Sequence, residues 1–200
     1  MDAKTQKSEM TRTAIVGAGI DLASAEGLEA ITLQAVADRI GISKSGVFSR
    51  IGSREALQKA VIEEFGRRFL ADVFVPAMQQ PKGLPRLDAI MQRWIVRARD
   101  VEAYTACIYS AGAFELDDRE GPLRDLLHAE ISRWRAALRR SVLQAVEAGQ
   151  LQSDMDAEQL VGEIYALMLG MIHDTRFLRD PRAAERTQAS WQRLMTSYRA

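Results

Sequence analysis

The chain has 200 residues, sets 27 basic against 27 acidic side chains, is 47% apolar and contains one cysteine and two histidines. This composition describes an ordinary globular protein able to bury a core without covalent staples, and the single Cys107 excludes a disulfide scaffold or a zinc ribbon. The longest nearly unbroken apolar run, Tyr165 to Ile172, falls far below the ~20 residues of a membrane span, and the opening MDAKTQKSEM has no apolar signal core. The expected location is therefore the cytoplasm, with no membrane partner.

In chain order, residues 8 to 26 place Ile15, Ala18, Leu22 and Ala25 at helical spacing, with Gly27 where a left-handed residue ends a helix. Thr32 is an N-cap for a short helix with Leu33, Val36, Ala37 and Ile40 on one face, closed by Gly41. Ser43 caps a second short helix running to about Ser49. Ser53 starts a long helix, 53 to 75, with Leu57, Val61, Phe65, Phe69 and Val73 apolar and Pro76 as its stop. The loop 76 to 85 holds Pro76, Pro81 and Pro85 and separates short helices from long ones.

Helices are expected at about 84 to 99 and 101 to 113. After the charged break ELDDREGP, residues 122 to 149 carry Leu123, Leu127, Ile131, Trp134, Leu138, Val142 and Ala145 on one stripe. The segment 156 to 178 is apolar over two adjacent faces, so something must cover it on more than one side. The fold class is all-α, and neither an internal repeat nor a low-complexity segment interrupts it.

Zero net charge does not exclude a nucleic-acid partner, because the distribution is uneven. Between Ile40 and Arg54 stand Lys44, Arg50 and Arg54 with no acidic residue, and Lys4, Lys7 and Arg12 form a second basic cluster. Residues 33 to 51, LQAVADRIGISKSGVFSRI, have the helix-turn-helix pattern: small Ala37 lets two helices cross closely, Gly41 gives the turn its freedom, and Val47 locks the pair. The second helix then presents Lys44, Ser45, Phe48, Ser49 and Arg50 outward, as a major-groove helix would. As a bare pattern it equally describes an αα-hairpin that only packs.

The surroundings add to the pattern. Glu26-Gly27, Ala30-Ile31-Thr32, Val36-Ala37, Gly41-Ile42-Ser43, Phe48 and Gly52-Ser53-Arg54-Glu55-Ala56-Leu57, taken in that order, resemble the TetR family of transcriptional regulators over roughly residues 10 to 62. The resemblance implies a DNA-binding domain at 1–54, with its recognition helix at about 43–49, and a helical ligand-binding and dimerisation domain at 55–200. It implies that Thr32 and Gln34 meet the DNA backbone and a base edge, that Ser43, Lys44, Ser45 and Gly46 open the recognition helix with Phe48, Ser49 and Arg50 following, and that Ser53 and Arg54 face a phosphate. Lys44 suits guanine or phosphate and Gln34 suits adenine. The sequence departs from the family where Phe48 replaces the usual Tyr, Arg50 a His and Ile51 a Phe, so one phosphate hydrogen bond is missing and Arg50 offers charge in its place.

Other readings are weaker. TAIVGAGIDL, residues 13 to 22, spaces Gly17 and Gly19 like a dinucleotide loop, but Leu22 occupies the third glycine position and no strand-helix alternation follows. Cys107, His128 and His173 offer a nucleophile and base with no motif joining them. No catalytic residue, metal site or cofactor is therefore expected.

Met91, Trp94, Tyr104, Cys107, Phe114, Tyr165, Met168 and Phe177 concentrate adaptable groups on the middle helices, and a small-molecule pocket there would take polar groups from Arg97, Glu115 or His173. Gly162, Ala166 and Gly170 make a small-residue stripe that, with Trp134 and Leu138, suits a four-helix dimer interface; the alternative is that the stripe seats a helix of the same chain. The expectation is thus a homodimeric repressor of a double-stranded DNA operator, released by a small-molecule effector. The alternatives are a regulator answering to a protein partner or to no ligand, and a helical enzyme or carrier.

Overall fold

The computed structural model describes residues 3–100 and 106–200, apart from the side chains of residues 3–5 and 7. Among the described residues every regular element is helical, and an isolated bridge between Leu151 and Arg199 is the one β feature. The chain divides into two compact units, one built from residues up to 67 with 105–130, the other from 68–104 with 131–200.

In the first unit, α1 (Ala3–Glu26) is followed by a single 3₁₀ turn (Leu28–Ala30), α2 (Leu33–Ile40), α3 (Lys44–Ile51) and α4 (Arg54–Phe69). The expected caps form: Thr32 Oγ1 accepts the Ala35 N–H at 3.0 Å, Ser43 Oγ that of Gly46 at 3.1 Å, and Ser53 Oγ that of Ala56 at 3.1 Å. Each satisfies a donor that the first turn of a helix leaves open. Gly41 sits at φ 69°, ψ 34°, the left-handed conformation that lets α3 turn back on α2. Ile15, Leu22, Leu28, Ile31, Val36, Ala37, Val47, Leu57 and Val61 are buried together, whereas Ala25, expected on the same face, is exposed near the end of α1.

The long helix ends at Ala77, one residue beyond the expected stop at Pro76, but it is not regular up to that point. After α4 the chain widens into a π-helical turn (Leu70–Phe74), whose following residue Val75 donates to the Leu70 carbonyl, and then continues through α5 (Val75–Ala77) with Pro76 inside it. Proline lacks an N–H and crowds the carbonyl of the preceding turn; the wider turn before it accommodates both.

In the second unit, α6 (Leu84–Arg99) buries Leu87, Ile90, Met91, Trp94 and Ile95. The helix expected at 101 to 113 is α7 (Ile108–Glu115), in the first unit, and residues 101–105 lie outside those described. α8 (Pro122–Glu147), which begins in the first unit and passes into the second after residue 130, and α9 (Ala157–Arg176, capped by Asp156) fall close to their expected spans. A further helix, α10 (Ala183–Tyr198), closes the chain; Ala183, Thr187, Trp191 and Met195 recur every fourth residue on its buried face, and Trp191 Nε1 donates to Asp88 at 2.9 Å.

Candidate nucleic-acid interface

The α2–α3 pair is held by residues that never reach solvent: Val36, Ala37 and Val47 are fully buried. Fixed from within, α3 turns its remaining side chains outward. Ser43, Lys44, Ser45, Phe48, Ser49 and Arg50 are all exposed, Phe48 at 59%, and none of them is acidic. Lys44 has no ion-pair partner among the described residues, so its ammonium stands free in water. An aromatic ring left this exposed between a lysine and an arginine has no folding role, whereas it offers a groove apolar contact.

The polar side chains of this strip are organised locally. Ser49 Oγ donates to the Gly46 carbonyl at 2.9 Å, Arg50 Nη1 to Ser49 Oγ at 3.2 Å, and the hydroxyls of Ser43 and Ser45 are 3.0 Å apart. Gly46 is half-buried at the first turn of the helix, where a Cβ would come within 3.2 Å of Ser43 Oγ. From α1, Arg12 donates to the Arg50 carbonyl at 3.0 Å and so ties the C-terminal end of α3 to the first helix. On α2, Gln34 is exposed and its amide donates to Asp38 at 2.7 Å; Thr32 is occupied as the cap. The side chains of Lys4 and Lys7 lie outside the described residues.

Arg54 is placed otherwise than expected. Its Nε donates to the Ile31 carbonyl at 3.0 Å, and its Nη2 to the Glu29 carbonyl at 2.6 Å and the Glu29 carboxylate at 3.2 Å. A guanidinium so engaged clamps the 3₁₀ turn to the start of α4 and is not a free phosphate ligand. Beside it, hydrogen bonding from Ser53, then from its own backbone, holds the Glu55 carboxyl below the usual 4.5. Glu55 therefore stays ionised at the head of α4, where a negative side chain complements the helix dipole.

Comparison with known proteins agrees with this geometry. The profile described as bacterial regulatory proteins of the tetR family matches residues 15–61, and that of the tetracyclin repressor-like C-terminal domain matches residues 83–191. The chain belongs to the TetR family. Like other TetR-family proteins it is a DNA-binding transcriptional regulator and not an enzyme. Its fold matches a TetR-family transcriptional regulator from Cytophaga hutchinsonii (17% identity, TM-score 0.81, 97% of both chains) and one from Chloroflexus aurantiacus (22%, 0.81, 97% of this chain and 98% of that one). It also matches AibR in complex with isovaleryl coenzyme A and operator DNA (20%, 0.66, 80% and 84%). No curated protein sequence matches.

In the C-terminal half of this TetR-family chain the expected pocket residues are partly gathered. Trp94 stacks edge-on with Trp134 at 5.4 Å and Tyr165 at 5.8 Å, and Phe69 meets Trp94 at 5.6 Å and Trp134 at 4.8 Å. Met91 and Met168 are fully buried in the same unit. Arg97, buried to all but 9%, pairs with Asp72 and lies over the Phe69 ring at 5.8 Å. The indole Nε1 of Trp134 is buried with no hydrogen-bond partner among the described residues.

Other expectations for this half need correction. Phe114 and Phe177 are 70% and 77% exposed and line no core. Glu115 is not a pocket group, because its carboxylate caps the 3₁₀ turn of the first unit. His173 is exposed against Asp174 at 3.1 Å; Cys107 is half-buried and accepts from Ser110 at 3.3 Å; Tyr104 lies outside the described residues.

Trp134 and Leu138 are buried in their own unit, at 4% and 0% exposure, Trp134 beneath the rings of Phe69, Phe74 and Trp94. They therefore offer no surface to a second copy. Ala166 and Gly170 are exposed, and a Cβ on Gly162 or Gly170 would meet nothing within 4 Å. Among the described residues, no helix of the same chain packs against the stripe at Gly162 or Gly170.

Proposed function

We propose that the protein is a homodimeric repressor whose two copies of α3 read a palindromic operator and which leaves DNA when a small molecule occupies the C-terminal half. The observation that carries this reading is the outward strip of α3, with Lys44, Ser45, Phe48, Ser49 and Arg50 exposed on a helix free of acidic residues. In functional terms the division is a reading head at 1–54 and a ligand-binding and dimerisation part at 55–200. Lys44 and Arg50 supply charge, Ser43, Ser45, Ser49 and Gly46 allow close approach to the backbone, Phe48 makes apolar base contact, and Gln34 and Thr32 face the strand beside the groove.

A single recognition helix makes few base contacts, so a two-fold axis that sets two of them about 34 Å apart doubles the specificity. The open stripe at Gly162, Ala166 and Gly170 is where a partner helix can approach closely. For the effector, Phe69, Phe74 and Trp94 pack on Trp134, whose indole N–H is buried without an acceptor among the described residues, Tyr165 packs on Trp94, and Met91 and Met168 are buried in the same unit. That AibR was crystallised with both a small acyl thioester and operator DNA makes a ligand-controlled operator complex reasonable here. The chemistry requires no cofactor, and the site of action is the cytoplasm.

The decisive experiment is a gel shift with a palindrome taken from the DNA beside the protein's own gene. Wild-type protein should retard it as a dimer and the Lys44→Ala/Arg50→Ala variant should not; equal retardation by the two proteins overturns the reading.

A further inference from the structure

In the second unit, where the C-terminal ends of α6 and α9 meet the start of α10, there is an open cleft of ≈ 490 Å³. Its wall carries Arg99, Arg176 and Arg179 together with Thr175, Asp180 and Ala184. The volume matches that of an ordinary small-molecule site.

The charge in this cleft is one-sided. Asp180 is its one acidic lining residue, and that carboxylate is already engaged by the Arg182 backbone N–H at 2.8 Å and by the Arg186 guanidinium. Those hydrogen bonds, the backbone one first, hold Asp180 below its usual 3.8, so it remains a satisfied anion. Arg99 and Arg179 are exposed and have no ion-pair partner among the described residues. The first turn of α10, to which Ala184 belongs, has no side-chain cap, and its acidic residue, Glu185, is paired with Arg182 at 3.3 Å and does not line the cleft.

Two further features belong to the same wall. Arg179 is the one non-glycine residue among those described with a positive φ, 54°, a conformation disfavoured for a long side chain. Thr175 has a buried hydroxyl oxygen without a hydrogen-bond partner among the described residues. A concave wall with guanidinium forks concentrates field and matches the paired oxygens of a carboxylate or phosphate, and the polar Thr175 adds a donor.

We infer that this cleft is a binding site for the multivalent oxyanion end of a small metabolite, phosphate or carboxylate, held by Arg99 and Arg179. The inference does not depend on the DNA-binding reading or on the effector reading of the aromatic cluster, since none of their residues lines the cleft.

The test is calorimetric titration of the full chain with inorganic pyrophosphate and, separately, with citrate, at an ionic strength held constant with sodium chloride. Saturable binding of one anion per chain is expected, and whichever anion binds more tightly distinguishes a phosphate from a carboxylate ligand. Arg99→Gln/Arg179→Gln should weaken it at least tenfold, while Arg193→Gln, an exposed arginine of α10 outside the cleft, should leave it unchanged. Arg179→Gly separates binding from folding: glycine adopts the positive φ freely, so this variant should melt no lower than wild type yet bind the anion more weakly. The inference is overturned if neither anion binds saturably, if the double variant binds like wild type, or if binding is abolished by Lys44→Ala/Arg50→Ala instead.

Discussion

Glu115 accepts the backbone N–H of Leu28 at 2.8 Å, across 87 residues of sequence. Its other carboxylate oxygen takes the N–H of Glu29 at 2.8 Å, so one side chain of α7 caps the turn on which α2 is mounted. Gly27 makes this possible twice over. Its φ of 93° with ψ 169° is open to glycine, and a Cβ there would stand 2.9 Å from Glu115 Oε2. Glu115→Ala should cost about 1–2 kcal/mol, the range for charge-assisted bonds that are partly solvated, and Glu115→Gln less. Urea unfolding of the three proteins measures this, and equal midpoints would remove the cap from the account.

Lys44 and Arg54 should differ in kind. Lys44→Ala should weaken operator binding by about 1–3 kcal/mol while leaving thermal stability alone. Arg54→Ala should lower stability through loss of the clamp on Glu29 and the carbonyls of residues 29 and 31, and leave the salt dependence of binding nearly unchanged. Fluorescence anisotropy at several salt concentrations, with a melting curve for each variant, separates the two.

Two glycines give opposite signs. At Gly17, in α1, a Cβ would meet nothing within 4 Å, so Gly17→Ala should stabilise by about 1 kcal/mol through helix propensity. At Gly112, in α7, a Cβ would stand 2.5 Å from Leu28 Cδ1 and 3.0 Å from Leu127 Cδ2, both in buried side chains. Gly112→Ala should therefore overpack and destabilise by about 1–3 kcal/mol. Denaturant midpoints decide both.

The small stripe of α9 tests assembly. Gly170→Leu adds bulk where none of the described residues comes within 4 Å of a Cβ, so a monomer should tolerate it. If the stripe is the dimer contact, sedimentation should show dissociation, with overpacking worth roughly 1–3 kcal/mol, and operator binding should fall although α3 is unchanged. An intact dimer in this variant would place the interface elsewhere.

Asp180 gives a pH dependence of definite sign. Its carboxyl titrates below 3.8 in the folded chain, so its stabilising effect is complete above the unfolded value and disappears as pH falls through the folded one. Asp180→Asn should accordingly be less stable than wild type at pH 7, with the difference closing below about pH 4. Melting temperatures across that range should show the convergence; a constant gap would mean the charge is not what matters.

The head was legible in the sequence because its signals are local: Thr32, Ser43 and Ser53 cap the helices they precede, and Gly41 takes the conformation its turn demands. What failed were statements about which partner a side chain finds. A guanidinium at position 54 suits a phosphate as well as a carboxylate, and only the fold brings Glu29 within 3.2 Å of it. Helical spacing put Trp134 and Leu138 on an apolar stripe but said nothing of Phe69 and Trp94 covering Trp134. The stripe Ala183, Thr187, Trp191, Met195 was available to the same periodicity argument, with Thr187 and the polar residues between as its camouflage.

The internal use of Arg54 has an electrostatic consequence for any DNA complex. Counterions are released from a duplex only by cations that reach its phosphates, at a slope of about −0.9 in log K per log salt for each phosphate neutralised. With Arg54 satisfied by Glu29, the basic run between Ile40 and Arg54 is left with Lys44 and Arg50 as exposed cations. This run should therefore release the counterions of about two phosphates per copy, with any further salt dependence coming from the N-terminal cluster of Lys4, Lys7 and Arg12, so that discrimination by α3 rests on its fit to base edges.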